Sequence, residues 1–273
     1  MTQVKVSPYR TRLDRGNAYW MARLAREVYR ARSPTDPAPD EEGILARLTQ
    51  EDGGFRSVTG ADSDSAQAAL IEHEAYLCLA FRGTDELADW LDNLDAFPVH
   101  RLFGAFHRGF WNALEDVWPP LEAHLRRLQR ARPRPVFLTG HSLGGAMATL
   151  AAARFVHEDK PFTSVYTFGQ PRAMSREAAR IFNAECKSRF FRFCNNNDLV
   201  TRVPARMMGY SHVGCCLYIT EDGEIQRDPG FWFRFVDHVE GALEALRERG
   251  IDAIEDHALD RYLEAVTAWR LND

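Results

Sequence analysis

Hydrophobic and polar positions change period several times along the chain. In NAYWMARLAREVYR (17–30), Trp20, Leu24 and Val28 recur at helical spacing, and the proline-rich SPTDPAPDEEG that follows cannot continue a helix. This predicts an N-terminal helix and a loop. SVTG, AQAALIEH and AYLCLAFRG then bring small, aliphatic and aromatic residues in short runs parted by polar breaks, as early sheet strands do. WNALEDVWPPLEAHLRRLQR (111–130) reads as helical apart from a break at Pro119–Pro120. PVFLTG (135–140) reads as a buried strand and GGAMATLAAARFVHE (144–158) as an alanine-rich helix. TSVYTFG and SRFFRFCNN are strands on either side of the helical SREAARIFNAEC, and HVGCCLYITEDGEIQRD is a hairpin turning at Asp222-Gly223.

Two acid-histidine pairs precede the last helical patterns. Asp237 and Glu240 stand at capping-box spacing around His238, and after Asp256-His257 the residues Leu259, Tyr262, Leu263 and Val266 share one apolar face. Strands alternating with helices predict an α/β fold, a mostly parallel central sheet flanked by helices. With 273 residues, 45% hydrophobic and 27% charged, one domain over 1–273 is expected, residues 1–53 being a helical and loop extension packed on it.

Charge narrows the partners. The 39 acidic and 34 basic residues give a net charge of -5 without a polybasic block, so neither nucleic acid nor an anionic membrane surface is favoured. No apolar run approaches the ~18 residues of a spanning helix, and the first twenty residues lack a signal-like apolar core, so a cytoplasmic protein is expected. Cys78, Cys186, Cys194, Cys215 and Cys216 mostly lie in apolar strand-like segments and read as buried free thiols.

The chemistry begins at GHSLGG (140–145). Gly140-His141-Ser142-Leu143-Gly144 is a G-x-S-x-G run placed between a strand and a helix, where a tight turn exposes a hydroxyl and the helix N-terminus faces developing negative charge. A serine hydroxyl needs a neutral histidine to take its proton and a carboxylate to orient that histidine. On this type of turn the chain order is serine, acid, histidine. Asp198, just past a strand in FRFCNNNDLVTRVP, is the candidate acid. Of the downstream histidines, His212 opens a hairpin strand and reads as structural, whereas His238 and His257 both fit a base. No H-E-x-x-H spacing or calcium loop occurs, and no metal or organic cofactor is expected.

These residues resemble the class 3 lipases, the fungal-lipase-like branch of the α/β hydrolases, over roughly residues 66 to 265. AFRGT (80–84), DWLDNL (89–94), HRGF (107–110), GHSLGGA (140–146), TFGQPR (167–172), NDLVTRVP (197–204), SHVG (211–214) and DHALDRY (256–262) stand in the family's order. The resemblance implies Ser142 as nucleophile, Asp198 as acid and His257 as base, since Asp256-His257 is followed by Tyr262 and His238 has no such tyrosine. It implies oxyanion donors at Thr84 and Leu143, and a lid in DWLDNL carrying Trp90 and Leu91. His107 would lie near the pocket, and His141 is simply the variable position of the turn. The expected function is hydrolysis of carboxylic esters of the triacylglycerol type, with a lipid or small ester as partner. A phospholipase A1, a short-chain carboxylesterase and a catalytically silent module are the alternatives. Oligomeric state is not legible in the chain.

Overall fold

The computed structural model describes residues 4–84, 97–196, 198–230 and 257–271. Its centre is an eight-stranded sheet. Numbered in chain order, β6 (Pro98–Arg101), β7 (Gly104–His107), β10 (Met174–Ser175) and β12 (Tyr210–Ser211) form a separate four-stranded sheet among the described residues, and the central sheet holds β3 (Phe55–Ser63), β4 (Ala66–His73), β5 (Leu77–Phe81), β8 (Val136–His141), β9 (Ser164–Phe168), β11 (Phe190–Asn195), β13 (Cys215–Ile219) and β14 (Ile225–Arg227). In space they run β14-β13-β11-β9-β8-β5-β4-β3. The ladders from β5 to β13 are parallel, and the outer ladders β3–β4, β4–β5 and β13–β14 are antiparallel. This is the mostly parallel α/β sheet expected from the alternating pattern, in the arrangement that the resemblance to the α/β hydrolases implies.

Alternation along each strand divides the core. Leu77, Leu79 and Phe81 of β5 face one side, packed with α3 (Arg108–Ala131), α4 (Leu143–His157) and α5 (Arg176–Cys186). Cys78 and Ala80 face the other, with α1 (Arg15–Glu27), α2 (Glu41–Glu51) and α6 (Leu259–Leu271). The parallel strands are therefore buried on both faces, which is why PVFLT reads as a continuous apolar run. No helix among the described residues is long and apolar enough to cross a membrane.

Two expectations change. Pro119 and Pro120 do not break the helix: α3 continues through both, with Val117, Trp118 and Leu121 buried on one stripe. Packing of that stripe outweighs the lost amide donors of two adjacent prolines. The proline-rich stretch after α1 is not all loop, because Ala31–Ser33 (β1) and Asp36–Pro39 (β2) pair as a small antiparallel ribbon ahead of α2. The hairpin turning at Asp222-Gly223 is present, with Gly223 at φ +79° and its N–H donating to Thr220 O.

Candidate active site

β8 ends at His141 and α4 begins at Leu143, so Ser142 is a single-residue turn between them. Its backbone stands at φ 56°, ψ -128°, a region that ordinary side chains avoid. The fold holds it there by hydrogen bonds from Ser142 N–H to Phe168 O at 2.9 Å and from Gly145 N–H to Ser142 O at 2.9 Å. Glycine is obligatory alongside: a Cβ on Gly140 would lie 2.3 Å from Gly144 O, and one on Gly144 would lie 2.1 Å from Phe81 O. The flanking glycines thus let the start of α4 fold close against β8 and the end of β5 approach the turn.

Asp198 follows β11 and accepts from Val200 N–H at Oδ1, 2.9 Å away. Its Oδ2 lies 2.9 Å from His257 Nδ1 and also accepts from the Tyr262 hydroxyl. Asp198 and His257 are both buried. A carboxylate can only accept from a neutral imidazole, so the Nδ1 proton is fixed on His257 and Nε2 is left with its lone pair. Among the described residues His257 Nε2 and Ser142 Oγ are buried and form no hydrogen bond. A proton acceptor and a hydroxyl are thus held ready in one site.

The serine turn and the acid–histidine pair are joined through residues that sequence reasoning missed. Gly169, one residue past the Phe168 carbonyl that holds Ser142, has φ +57°, and a Cβ there would lie 2.8 Å from both Asp198 Oδ2 and His257 Cε1. His141 is more than a variable turn position: its Nε2 lies 2.7 Å from His257 O, and its Nδ1 lies 2.6 Å from Tyr29 Oη. Burial first, and the neighbouring His257 second, hold His141 far below the ordinary histidine range. It is neutral, Nε2–H donates to the His257 carbonyl, and Nδ1 accepts from the Tyr29 hydroxyl. Tyr29 Oη in turn accepts from Gly83 N–H at 3.1 Å. The chain Gly83–Tyr29–His141–His257 ties the loop before Thr84 to the histidine.

Leu143, as the first residue of α4, carries an N–H with no acceptor inside its helix. Thr84 follows Gly83, whose Cβ position would be 3.0 Å from Ser142 Cβ, so both expected oxyanion donors flank the serine. His107 is placed as a helix cap: its Nδ1 accepts from Phe110 N–H at 3.3 Å, and its ring stacks on Phe110 with centroids 3.7 Å apart. His212 is half-buried near Arg192 and Arg172 with Nε2 2.7 Å from Thr201 O, a structural hydrogen bond of the kind expected of it. Trp90, Leu91 and the second candidate base His238 lie outside the described residues. An apolar cavity of about 690 Å³ lined by Trp118, Leu125, Phe155 and Phe162 reaches Val136, at the opposite end of β8 from Ser142, and is not part of this site.

Residues 78–208 match the family model described as lipase (class 3). Over these residues, just under half of the chain, it is similar to the class 3 lipases. Among class 3 lipases and their relatives, it is 31% identical over 165 residues to the secreted mono- and diacylglycerol lipase A of Penicillium cyclopium, covering 58% of this chain and 53% of that protein. It is 29% identical over 196 residues to the secreted mono- and diacylglycerol lipase 1 of Fusarium solani, covering 70% and 56%. The chain spans about half the length of the curated relatives it matches. A crystal structure of a mutant form of MDLA from Penicillium cyclopium superposes with a TM-score of 0.62 at 25% identity, over 77% of this chain and 83% of that one. The cytoplasmic expectation is overturned by these comparisons, since the relatives are named as secreted; it rested on missing apolar segments, and secretion does not have to be legible in such segments.

Proposed function

We propose that the protein is a serine carboxylic-ester hydrolase acting on acylglycerols through an acyl-enzyme. The hydrogen bond from His257 Nδ1 to Asp198, which leaves Nε2 as a buried lone pair in the site of Ser142, carries this reading. Ser142 Oγ attacks the acyl carbonyl while His257 Nε2 takes its proton, and the N–H groups of Thr84 and Leu143 receive the oxyanion. The tetrahedral species collapses, the acyl–oxygen bond breaks, and the imidazolium returns its proton to the departing alcohol. Water then repeats the sequence on the acyl-serine and releases the fatty acid, so no redox or metal partner enters the balance. Asp198 keeps His257 in the required tautomer and offsets the charge it gains.

The names of the relatives support mono- and diacylglycerols as substrates and an extracellular place of action. We read residues 1–273 as one catalytic unit. Support comes from α1, whose Trp20 and Met21 are buried in the core and whose Met21 carbonyl accepts from Thr139 Oγ1 on β8 at 3.0 Å. The test is hydrolysis of emulsified mono- and diacylglycerols beside p-nitrophenyl esters by wild type and Ser142→Ala. Turnover should fall roughly a millionfold in the variant. Activity that survives the substitution would remove Ser142 from the mechanism, and a wild type inert on every ester would remove the function.

A further inference from the structure

A pair of cysteines lies away from the serine site, on strands the ester chemistry does not use. β11 and β13 run parallel in the register Arg192↔Cys216 and Cys194↔Tyr218. Arg192, Cys194 and Cys216 therefore share one face of the sheet, with Cys194 diagonal to Cys216. The two sulfurs are 3.9 Å apart, and the Arg192 guanidinium Nη1 lies 2.6 Å from Cys194 Sγ. Cys194 is sealed, at 1% exposure, whereas Cys216 lines a cavity of about 220 Å³. That cavity is also lined by Arg172, Lys187, Arg192 and Arg206, against Asp228, whose carboxylate accepts the Cys216 N–H at 2.9 Å.

We propose that Cys194 and Cys216 are an oxidisable dithiol, reached through this cationic cavity by an anionic low-molecular-weight disulfide and closing to a cross-strand disulfide. The contact between the two sulfurs and the Arg192 charge lower Cys216 against its burial, while that contact and burial raise Cys194. Cys216 faces the cavity and Cys194 is sealed behind it, which makes Cys216 the attacking sulfur. Its thiolate attacks one sulfur of the incoming disulfide, forms a mixed disulfide and releases one thiolate. Cys194 then loses its proton and attacks Cys216 Sγ, expelling the second thiolate. One disulfide is reduced to two thiols and one protein dithiol is oxidised, so electrons balance. Cys78, buried in the core with no charge to assist it, is pushed far up, and burial raises Cys186 to about 11, so neither competes.

The proposal does not depend on ester hydrolysis, and its readout is mass. The reduced full chain is exposed to oxidised glutathione or to the cationic disulfide cystamine, quenched by alkylation and mapped. The expected wild type loses two hydrogens, yields a Cys194–Cys216 cross-linked peptide, and reacts faster with the anionic reagent than with the cationic one. Cys194→Ser should stop with one glutathione on Cys216, and Cys216→Ser should leave Cys194 alkylatable. Arg192→Gln should slow the first step by about tenfold, the change in thiolate population carried by one pKa unit. Wild-type protein whose thiols at 194 and 216 both remain alkylatable, or which holds glutathione on Cys216 without cross-linking, overturns the dithiol. Equal rates with the two reagents overturn the role of the cationic cavity.

Discussion

The Tyr262 hydroxyl donates to Asp198 Oδ2, the same oxygen that faces His257 Nδ1. The Tyr262 oxygen also accepts from Asn195 N–H at 2.9 Å, so one phenol orders both the end of β11 and the carboxylate beyond it. Burial and the Asp198 charge push the phenol far above its ordinary range, which keeps its proton in place as a donor. Tyr262→Phe removes a hydrogen bond to a charged group, worth ~1.5–3 kcal/mol, and leaves the Asn195 amide unpaired. The expected result is a kcat lower by about tenfold or more with KM little changed, and a lower melting temperature. Steady-state kinetics with a thermal melt check it; an unchanged kcat would remove Tyr262 from the positioning of Asp198.

Gly169 fixes a second requirement. At φ +57° with Asp198 and His257 against its α-carbon, it has no room for a methyl group. Gly169→Ala should displace the pair and cost on the order of a hundredfold in turnover, the usual consequence of a shift of about 1 Å at reacting groups. Gly223→Ala is the matched control: the same backbone strain at φ +79°, with nothing within 4 Å of the added carbon. It should lose some stability and keep its activity. Equal activity in the two variants would mean that strain, not the clash with the pair, decides the outcome.

What was legible in the chain was what its local patterns carry. Ser142 stands in a six-residue run whose glycines, strand and helix all lie within one turn, and Asp198 follows a strand that announces itself by FRF. The partners of His141 are 112 and 116 residues away, and no local pattern encodes them. Gly169 was visible as a glycine after a strand, but its need depends on Asp198 and His257 arriving from later segments. The Pro119–Pro120 break failed for the opposite reason: a local rule was clear, and tertiary packing of Trp118 and Leu121 overrode it.

Tyr29 tests the connection between the oxyanion loop and the histidine. Tyr29→Phe keeps the ring and removes one oxygen that accepts from Gly83 N–H and donates to His141 Nδ1. Leaving buried polar atoms unsatisfied costs about 1–3 kcal/mol each, and displacement of Gly83 would carry Thr84 with it. The variant should lose several-fold in kcat and unfold at lower temperature. In a double-mutant cycle with His141→Asn the two losses should be less than additive, because each breaks the same chain. Strict additivity would show that Tyr29 and His141 act separately.

Acid stability draws on two of the histidines, His141 and His212, which the fold holds as neutral rings far below their ordinary range. His141 is lowered by burial and by His257; His212 is lowered by burial and by Arg192 and Arg172. Both therefore lie well below 6.5 when folded and return to about that value in the unfolded chain. Below pH 6.5 the unfolded state binds protons that the folded state refuses, so stability falls as pH falls, by up to about 1.4 kcal/mol per pH unit for each ring. The carboxylates held down by partners, Asp40, Glu72 and Glu122, start from ordinary values of 3.8 and 4.5 and titrate lower still. The interval from about pH 6.5 to about pH 5 thus belongs to the histidines. Urea midpoints across it should decline in wild type and decline less steeply in His212→Gln, whose amide can still donate to Thr201 O without binding a proton. A wild-type midpoint flat over that interval, or an equal slope in the variant, would show that His212 takes up its proton without leaving the fold.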